Sequence, residues 1–575
     1  MTGQAGTRGL DELLADVPPD ETPDLTGAFP RLDEPRIRSL EAVGHHRPAQ
    51  RGEVLLAEGE PEDTFLVVLA GRVAVVEAFG QHDQRVVRVH GRGRFLGELG
   101  VLTGQMAFFT SVVVDPGEVL AVAATQLRAR LAADPGLSDE ILHAYLVRRC
   151  LALREGIGIR IVGSRYSERT RALRDFAARN RLPHRFVDLE SDPSAERLLR
   201  EFRVQPEDTP VVLVRDRLFR NPSTTELAEA CALRDPRDRI DVCDLVIVGA
   251  GPAGLAAAVY GASEGLDTVL LDAIATGGQA ARTSRIENYL GFPSGISGGE
   301  LAERAVLQVE RFGARRTVPA EVVGLDDGRG DHVLRLADGD QLTARAVIIA
   351  TGVRAHRLPV RRLEEFEDSC VYYAATPVEA QQCVGEPVVV VGGGNSAGQA
   401  AVYLADHAAE VRMVVRESRL DENMSRYLAD RIARDPRIEV HPHSEIRALE
   451  GEGGRLAAVV VEDTDDGRAQ RLAARRLVVF IGGDPATAWL SDSVALDDGG
   501  YVLTGQAACR AGDDPDRDPR PTRSLLETSL PGVFAAGDVR SGSVKRVASA
   551  VGDGAVAVRL VHEHLARTRG GWHAQ

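Results

Sequence analysis

A glycine-rich turn near the middle of the chain has the spacing of a dinucleotide-binding site. An apolar segment that starts at Asp244 leads into Gly249-Ala-Gly251-Pro-Ala-Gly254, and an alanine-rich helical pattern follows. Gly249 permits the tight turn, Gly251 lets backbone amides approach a pyrophosphate at the helix N-terminus, and Gly254 allows the helix to pack closely on the strand. Asp272 ends the next predicted strand, where its carboxylate can accept hydrogen bonds from an adenosine ribose. The alternative is a tight strand–turn–helix unit without a ligand.

A second strand–turn–helix pattern interrupts the first. Four consecutive valines precede it, and its turn and helix start consist of Gly392, Gly393, Gly394, Asn395, Ser396 and Ala397. No acid ends the next predicted strand, because Arg416 stands there. An acid at this position would hold the ribose of NAD, whereas an arginine accommodates the 2′-phosphate of NADP. The pattern predicts a second dinucleotide site that favours NADP(H) and leaves NAD(H) possible.

Five further short motifs lie before and after the second glycine turn. They are Gly277-Gly278-Gln279, Ile286-Glu-Asn288, Ala350-Thr351-Gly352, Gly537-Asp538 and Lys545-Arg546-Val547. In order and spacing, these motifs and the two turns resemble the bacterial thioredoxin-reductase family. The resemblance implies two doubly wound α/β domains. One binds FAD and comprises residues 240–358 and 483–575; the other binds NAD(P), comprises residues 359–482 and is inserted in the first.

The resemblance also implies roles for individual residues. Asp538 is expected to hold the ribityl or phosphate region of FAD. Gln279 and Asn288 are expected near the isoalloxazine, together with Arg546, where the family usually has glutamine. A cation near the pyrimidine ring would favour the anionic reduced flavin. The alternative for Arg546 is a surface residue beside the last helix.

The predicted cofactor-binding residues cover both turns and the motifs around them. They are Gly249, Gly251, Pro252, Ala253, Gly254, Asp272, Gly278, Gln279, Asn288, Thr351, Gly352, Gly392, Gly394, Asn395, Ser396, Ala397, Arg416, Gly537, Asp538, Arg546 and Val547. The family's usual double arginine is here Arg416-Glu417, which weakens the predicted NADP preference. Arg419 and Arg426 could compensate.

The segment 371–377 departs from the family where its redox Cys-x-x-Cys would stand. Ala374 and Pro377 occupy the two cysteine positions, and two tyrosines precede Ala374. The hydride path from nicotinamide to flavin therefore looks intact, while the dithiol that would carry the electrons onward is missing. The tyrosines either pack or line a site for a different acceptor. We name no catalytic side chain, since the flavin itself carries the reaction.

Three functions follow from this reading. The first is an NAD(P)H-dependent FAD oxidoreductase whose acceptor is a redox protein, a quinone or oxygen. The second is a redox-sensing flavoprotein in which turnover is incidental. The third is a disulfide reductase that uses cysteines outside the motif, for which Cys370 and Cys383 are the candidates although their spacing gives no tight pair.

The N-terminal part resembles a cyclic-nucleotide-binding domain over residues 34–150. Short β patterns with turn glycines predict a small barrel, and Phe95-Leu-Gly-Glu98 resembles the start of the phosphate-binding cassette. In that family a glutamate takes the ribose hydroxyl, which Glu98 matches, and an arginine holds the phosphate. Ala107 stands at the arginine position. Because a buried phosphate without a cation is costly, we expect a scaffold or dimerisation module, or a different ligand in the pocket.

Residues 157–234 resemble a thioredoxin or glutaredoxin domain in the order of their predicted elements. Thr209-Pro210 matches the proline turn of that fold, and Ser167 and Thr170 stand where its cysteines belong. Neither side chain can form a disulfide, so redox shuttling is excluded. A docking surface or a structural linker remains.

Composition sets the outer limits. The chain has 575 residues and a net charge of −16 without a basic patch, which argues against nucleic-acid partners. No apolar run is long enough to span a bilayer and the N-terminus lacks a signal peptide, so a cytoplasmic protein is expected. The length predicts several domains. A homodimeric enzyme is also expected. Residues 1–33 are expected to form a flexible tail. Six cysteines show no metal-ligand spacing, so no metal is predicted.

Overall fold

The chain divides into two units, each with its own sheets. The computed structural model describes residues 13–14, 17–24, 27–60, 63–80, 84–97, 101–102, 106–155, 159–165, 167–192, 199–200, 204–214, 217–231, 233, 242–328, 330–367, 369–490, 493–512 and 523–570. The units are Met1–Arg239 with Thr317–Pro319, and Ile240–Arg316 with Ala320–Gln575.

The first unit opens with a six-stranded antiparallel sheet. Its strands are β1 (His45–Ala49), β2 (Val54–Leu56), β3 (Thr64–Glu77), β4 (Arg85–His90), β5 (Phe95–Leu96) and β6 (Thr110–Ala123), and its helices are α1 (Glu34–Glu41), α2 (Ala124–Ala133) and α3 (Pro135–Glu155). The long strands β3 and β6 pair in the centre, with β1 and β4 on either side. A Cβ at Gly71 or Gly117 would overlap the backbone of the opposite long strand, so glycine allows these strands to approach closely.

Part of the predicted flexible tail packs against this sheet. Phe29 and Leu32 are buried, and the guanidinium of Arg148 lies 5.1 Å from the centre of the Phe29 ring. The backbone of Thr22 also donates to the Val89 carbonyl at 3.0 Å. The prediction of a tail through residue 33 is therefore wrong for this stretch. Although this stretch is rich in Pro, Asp and Gly, its one aromatic and one aliphatic side chain, Phe29 and Leu32, anchor it in a hydrophobic core.

The second part of the first unit is a four-stranded mixed sheet. It contains β7 (Ile159–Gly163), β8 (His184–Asp188), β9 (Val211–Val214) and β10 (Arg217–Arg220), with the helices α4 (Glu168–Arg179) and α5 (Thr224–Ala230). The order is β10-β9-β7-β8; β7 and β8 run parallel, whereas β9 is antiparallel to both of its neighbours. Met106 and Phe108, from the loop before β6, pack into the core of this sheet with Ile161, Phe176 and Val212. The two parts of the unit thus share a hydrophobic cluster.

The second unit contains a large sheet covered by helices. Its elements are β11 (Val242–Val248), β12 (Thr268–Leu271), β13 (Arg315–Thr317), β14 (Val322–Asp327), β15 (His332–Leu336), β16 (Gln341–Ile349) and β27 (Val533–Ala535), with α6 (Pro252–Ser263), α7 (Gly298–Arg311), α11 (Gln506–Gly512) and α12 (Val547–Gly570). The order is β13-β12-β11-β16-β15-β14, and β27 pairs with β16. The strands β12, β11, β16 and β27 run parallel and end at one edge. Ligands of such sheets bind at this carboxyl edge.

A smaller parallel sheet is inserted between β16 and β27. It has the order β18-β25-β19-β20-β21, formed by β18 (Val371–Tyr372), β19 (Pro387–Val391), β20 (Glu410–Val414), β21 (Ile438–His441) and β25 (Arg476–Val479). The helices α8 (Pro377–Gln382), α9 (Asn395–Leu404) and α10 (Arg426–Arg434) accompany it. An antiparallel sheet of β22 (Ser444–Glu452), β23 (Arg455–Asp463) and β24 (Ala469–Ala473) follows, and β17 (Val353–Ala355) pairs with β26 (Gly483–Pro485).

Two further properties concern only the part of the chain that the structure describes. None of its helices is both long and apolar enough to cross a bilayer. No group of histidine, cysteine and carboxylate side chains within it is arranged to hold a metal ion.

Candidate functional site

The turn after β11 is closed by glycines that cannot carry a side chain. Gly249 has a φ of +108°, and a Cβ on it would overlap the carbonyl oxygen of Ala350. A Cβ on Gly254 would overlap the carbonyl oxygen of Gly249. Glycine is therefore required at both positions for the strand, the turn and the helix to pack closely. A bound ligand is not needed to explain either glycine.

Gly251 differs from these two because its surroundings are open. The only atom within 4 Å of a Cβ built on it is the Cα of Gly278, at 3.9 Å. Gly251 is the N-cap of α6 (Pro252–Ser263), and in the described part of the chain no side chain caps the first amides of this helix, those of Ala253 and Gly254. Uncapped amides at a helix N-terminus attract phosphate oxygens. The space over Gly251 thus fits the pyrophosphate of FAD, beside the 277–279 loop.

The end of β27 brings a carboxylate to the same helix. A Cβ on Gly537 would lie 2.9 Å from the Cβ of Ala253, so the residue that follows, Asp538, stands near the start of α6. Burial raises the pKa of the Asp538 carboxyl above its usual range. Lys545 donates to the backbone oxygen of Asp538 at 2.6 Å and lies 4.2 Å from the centre of the Tyr501 ring. Within the described residues no donor meets the carboxylate itself, which fits a ribityl hydroxyl as its partner.

Asp272 has a different environment from the one that its sequence position predicts. Its Oδ2 accepts from the N–H of Ala250 at 2.8 Å, and its Oδ1 accepts from the N–H groups of Ile274 and Ala275 at 2.9 and 3.0 Å. The carboxylate therefore braces the turn and its own loop. A carboxylate has about four acceptor positions, so a contact with the adenosine ribose stays a prediction.

The remaining motifs lie around this edge with several of their polar groups already engaged. The amide nitrogen of Gln279 donates to the Val353 carbonyl at 2.8 Å. The hydroxyl of Thr351 donates to the Ala486 carbonyl at 2.9 Å. Gly352 has a φ of +65° and open space around a Cβ. The part of these three residues in a cofactor site stays a prediction.

Two residues expected near the isoalloxazine are exposed. Asn288 and Arg546 both face solvent, and Val547 begins α12 next to Arg546. Nothing in the described part of the chain pairs with the Arg546 guanidinium. Their contact with the flavin ring stays a prediction, and so does the surface alternative for Arg546.

The turn after β19 repeats the geometry of the first. Gly392 has a φ of +130°, and a Cβ on it would overlap the Phe480 carbonyl oxygen. Gly394 has nothing within 4 Å of a built Cβ and is the N-cap of α9, which no side chain caps. The Asn395 side chain is engaged, because its Oδ1 accepts from the Ser425 N–H at 2.7 Å. Ser396 and Ala397 belong to the first turn of α9.

The segment in place of the redox dithiol is closely packed. Ala374 and Ala375 are 1% and 3% exposed, and Ala375 bridges to Thr283 on the large sheet's side. Tyr372 donates its hydroxyl to the Ser369 carbonyl at 2.9 Å. Tyr373 donates its hydroxyl to the Glu367 carboxylate at 2.6 Å. Both phenol groups are thus used within the protein, which favours the packing interpretation of the tyrosines.

The two cysteines near this segment are poor nucleophiles. Cys370 and Cys383 are both buried and free. Burial raises the pKa of the Cys383 thiol to about 11. The Cys370 sulfur donates to the Gly454 carbonyl at 3.3 Å. Because the thiolate is the reactive form, the raised pKa of Cys383 does not suit thiol–disulfide exchange at neutral pH, and burial shields both thiols from a partner.

The loop at Ala107, where the cyclic-nucleotide-binding family has its phosphate-binding arginine, is closely packed by protein. Ala107 is 2% exposed, and its backbone pairs with Gly59 and Glu60 at 2.6 and 3.0 Å. The cavity beside it measures about 10 Å³ and is bounded also by Ile159 and Val214. This space holds about one water molecule. Glu98, the predicted ribose ligand, lies outside the described residues.

Sequence reasoning missed two features that the side chains reveal. Glu417 approaches the second turn at Gly393, and Met106 and Phe108 insert into the neighbouring sheet. The sequence carried a signal for the first, since Glu417 interrupts the expected double arginine. It carried none for the second.

Comparison with known proteins agrees with this architecture. The family described as pyridine nucleotide-disulphide oxidoreductase matches residues 243–554, and the cyclic nucleotide-binding domain family matches residues 46–134. A 34.2 kDa protein in a rubredoxin operon of Clostridium pasteurianum is 31% identical over 56% of this chain and 97% of its own length. A thioredoxin reductase of Streptomyces clavuligerus is 32% identical over 57% and 95%. The crystal structure of Lactococcus lactis thioredoxin reductase covers 56% of this chain and 99% of its own, with a TM-score of 0.51 and 28% identity.

Proposed function

Since the chain belongs to the pyridine nucleotide-disulphide oxidoreductase family, we propose that it delivers electrons from NAD(P)H, through FAD, to an acceptor other than a dithiol of its own. It is a thioredoxin-reductase-like, FAD-dependent NAD(P)H oxidoreductase that carries an N-terminal cyclic nucleotide-binding domain. The acceptor we propose is a redox protein, a quinone or oxygen that takes electrons directly from the flavin.

The residues around the first turn would hold FAD. Gly251 leaves room for the pyrophosphate, the amides that begin α6 bind its oxygens, and Asp538 accepts from the ribityl chain. Gly394 and the amides that begin α9 do the same for the nicotinamide dinucleotide. When bound, FAD accepts a hydride from the nicotinamide and can return one or two electrons. The chain's part is to bind and orient the two dinucleotides.

One observation carries the acceptor part of the proposal. Ala374 and Ala375 are buried where the family resemblance calls for a dithiol, and neither side chain can exchange electrons. The tyrosine hydroxyls beside them are occupied, and the thiols of Cys370 and Cys383 are buried. The electrons must therefore leave the reduced flavin without passing through a thiol of this segment.

The experiment is a two-stage measurement on the purified yellow protein. Anaerobic mixing with NADH or NADPH should bleach the flavin absorbance. Steady-state oxidation of the nicotinamide is then followed with ferricyanide, a soluble quinone, oxygen or an oxidised thioredoxin as acceptor. Bleaching with turnover on a non-thiol acceptor supports the proposal. Bleaching without turnover on any of them would favour a redox-sensing role instead.

We further propose that residues 157–234 form a thioredoxin-like domain that docks a partner instead of shuttling electrons. The strand order β10-β9-β7-β8 with its parallel and antiparallel pairs supports this. At the positions of the missing cysteines, the Ser167 hydroxyl accepts from the Thr170 N–H at 3.3 Å and Thr170 is fully buried. A homodimer stays a prediction, and light scattering of the full chain would check it.

Cyclic AMP should not bind the full chain. The loop that would hold its phosphate has alanine, and not a cation, at position 107. Ala107 and its neighbours Met106 and Phe108 are all buried. A phosphodiester there would be desolvated without a partner. Calorimetric titration with cyclic AMP should give no measurable heat of binding. Affinity in the micromolar range or tighter would contradict this reading of the domain.

A further inference from the structure

The two glycine turns occupy equivalent places in their sheets. The amide of Gly249 donates to the Leu271 carbonyl at 2.8 Å, at the end of β12. The amide of Gly392 donates to the Val414 carbonyl at 3.0 Å, at the end of β20. The two sites can therefore be compared position by position, although one is expected to hold FAD and the other a nicotinamide dinucleotide.

A carboxylate approaches the middle residue of both turns. In the first turn that residue is Ala250, whose N–H donates to Asp272 at 2.8 Å. In the second turn it is Gly393, and the residue equivalent to Asp272 is the buried, apolar Val415, not Arg416 as the sequence predicted. The carboxylate of Glu417, two residues farther on, lies beside this turn, since a Cβ built on Gly393 would overlap it. The second turn thus regains an acid that the sequence position lacks.

Glu417 is held in this position, whereas Arg416 is not held anywhere. Asn423 donates from its side-chain amide to the Glu417 carboxylate at 2.9 Å, and the backbone oxygen of Glu417 accepts from His443 at 3.2 Å. Arg416 is exposed, and in the described ranges its guanidinium has no hydrogen bond or ion pair. Fixing a long exposed side chain on a ligand costs conformational entropy, whereas a positioned carboxylate is already ordered.

From this arrangement we infer that Glu417 sets the nucleotide preference of the proposed hydride transfer, and sets it for NADH. An acid at the ribose end of such a turn accepts from the 2′-hydroxyl of NAD. The same acid repels the 2′-phosphate of NADP, which carries up to two negative charges at neutral pH. The inference rests on the proposed function and reverses the NADPH preference that Arg416 alone predicts from sequence.

The test compares wild type with Glu417→Gln. Rapid-mixing bleaching of the flavin gives kcat/KM-type constants for NADH and NADPH. Calorimetry with adenosine 2′,5′-bisphosphate and with 5′-AMP reads the same site without any redox step. Wild type should prefer NADH, and Glu417→Gln should raise the NADPH constant and the bisphosphate affinity by at least about tenfold and should lower the NADH constant, because the 2′-hydroxyl loses a charged acceptor.

Neighbouring variants separate this effect from a general change of charge. Asp435→Asn removes one negative charge at the end of α10, where Asp435 pairs with Arg437, and should leave the NADPH/NADH ratio within about twofold. Asn423→Ala releases the Glu417 carboxylate and should shift the ratio in the same direction as Glu417→Gln, by less. Arg416→Ala should cost little in wild type but should remove most of the gain in the Glu417→Gln background.

The outcomes distinguish this inference from the proposed function. If neither nucleotide bleaches a protein that contains FAD, the proposed function fails. If both bleach it and Glu417→Gln leaves both the ratio and the bisphosphate affinity within about twofold of wild type, the inference is overturned and hydride transfer stands. A wild type that strongly prefers NADPH and loses this preference in Arg416→Ala would overturn it as well.

Discussion

The Gly251→Ala protein should fold normally and come off the column nearly colourless. A Cβ on Gly251 has only the Cα of Gly278 near it, at 3.9 Å, and the φ of −74° suits alanine. The added methyl therefore costs the protein itself little, but it occupies the space into which the pyrophosphate must fall. We expect FAD affinity to drop by at least about tenfold. Flavin released by denaturation, per mole of protein, measures it.

The matched control is Gly394→Ala in the second turn. Gly394 is an N-cap with an equally open Cβ position, so the same change should spare FAD and block the nicotinamide dinucleotide. The Gly394→Ala protein should be yellow, and NADH and NADPH should both bleach it at least about tenfold more slowly than wild type. Full flavin content in Gly251→Ala, or a loss of flavin in Gly394→Ala, would show that the two sites are assigned wrongly.

Asp538 provides an independent check on the same site. Its carboxylate is partly buried without a donor among the described residues, and burial raises its pKa. If a ribityl hydroxyl is the missing donor, Asp538→Ala should weaken the binding free energy of FAD by about 1.5–3 kcal/mol, the value of a hydrogen bond to a charged group. Asp538→Asn keeps an acceptor oxygen and should lose less. Equal flavin retention in both variants and in wild type would assign the carboxylate a purely structural role.

The sequence was sufficient for features that depend on local spacing. Gly249, Gly251 and Gly254 follow one another within a single turn, so their spacing alone predicted which would be closed by packing and which would have open surroundings. Tertiary contacts decided the rest. Phe29 lies in a segment of loop-like composition, yet it packs beneath Arg148.

The side-chain details could not be read in the same way. Asp272 has the spacing of a ribose acceptor, but two amides of its own loop and the amide of Ala250 in the first turn already donate to it. Glu417 reaches the second turn only because the loop after β20 folds back and Asn423 holds the carboxylate. The hydrophobic periodicity of a sequence indicates which face of a helix or strand a residue occupies, but it does not predict that a loop folds back onto a neighbouring turn. Asp272 and Glu417 therefore both lie where a loop, and not a strand or helix, sets the geometry.

A protein without any cysteine should keep its turnover on a non-thiol acceptor and should not reduce an oxidised thioredoxin. Disulfide exchange needs an attacking thiolate and a resolving partner. Ala374 and Pro377 supply neither, and Ser167 and Thr170 supply neither in the first unit. We expect all six cysteines to be replaceable by alanine with the constant for NAD(P)H and ferricyanide within about threefold of wild type. Alanine is preferred to serine at the buried positions, because a buried hydroxyl without a partner costs about 1–3 kcal/mol.

Single variants decide what a loss of activity would mean. Burial keeps the Cys383 thiol protonated at neutral pH, with its pKa raised to about 11, and Cys370 is equally inaccessible. Cys370→Ala and Cys383→Ala should therefore retain both flavin bleaching and turnover, and any decline should follow a lowered thermal midpoint. If either variant bleaches normally with NADH or NADPH but no longer passes electrons to the acceptor, a displaced cysteine pair carries them. The chain would then be a disulfide reductase whose thiols lie outside the segment at Ala374. The substituted thiol would be required for the step after flavin reduction, the transfer of electrons from the flavin to the acceptor.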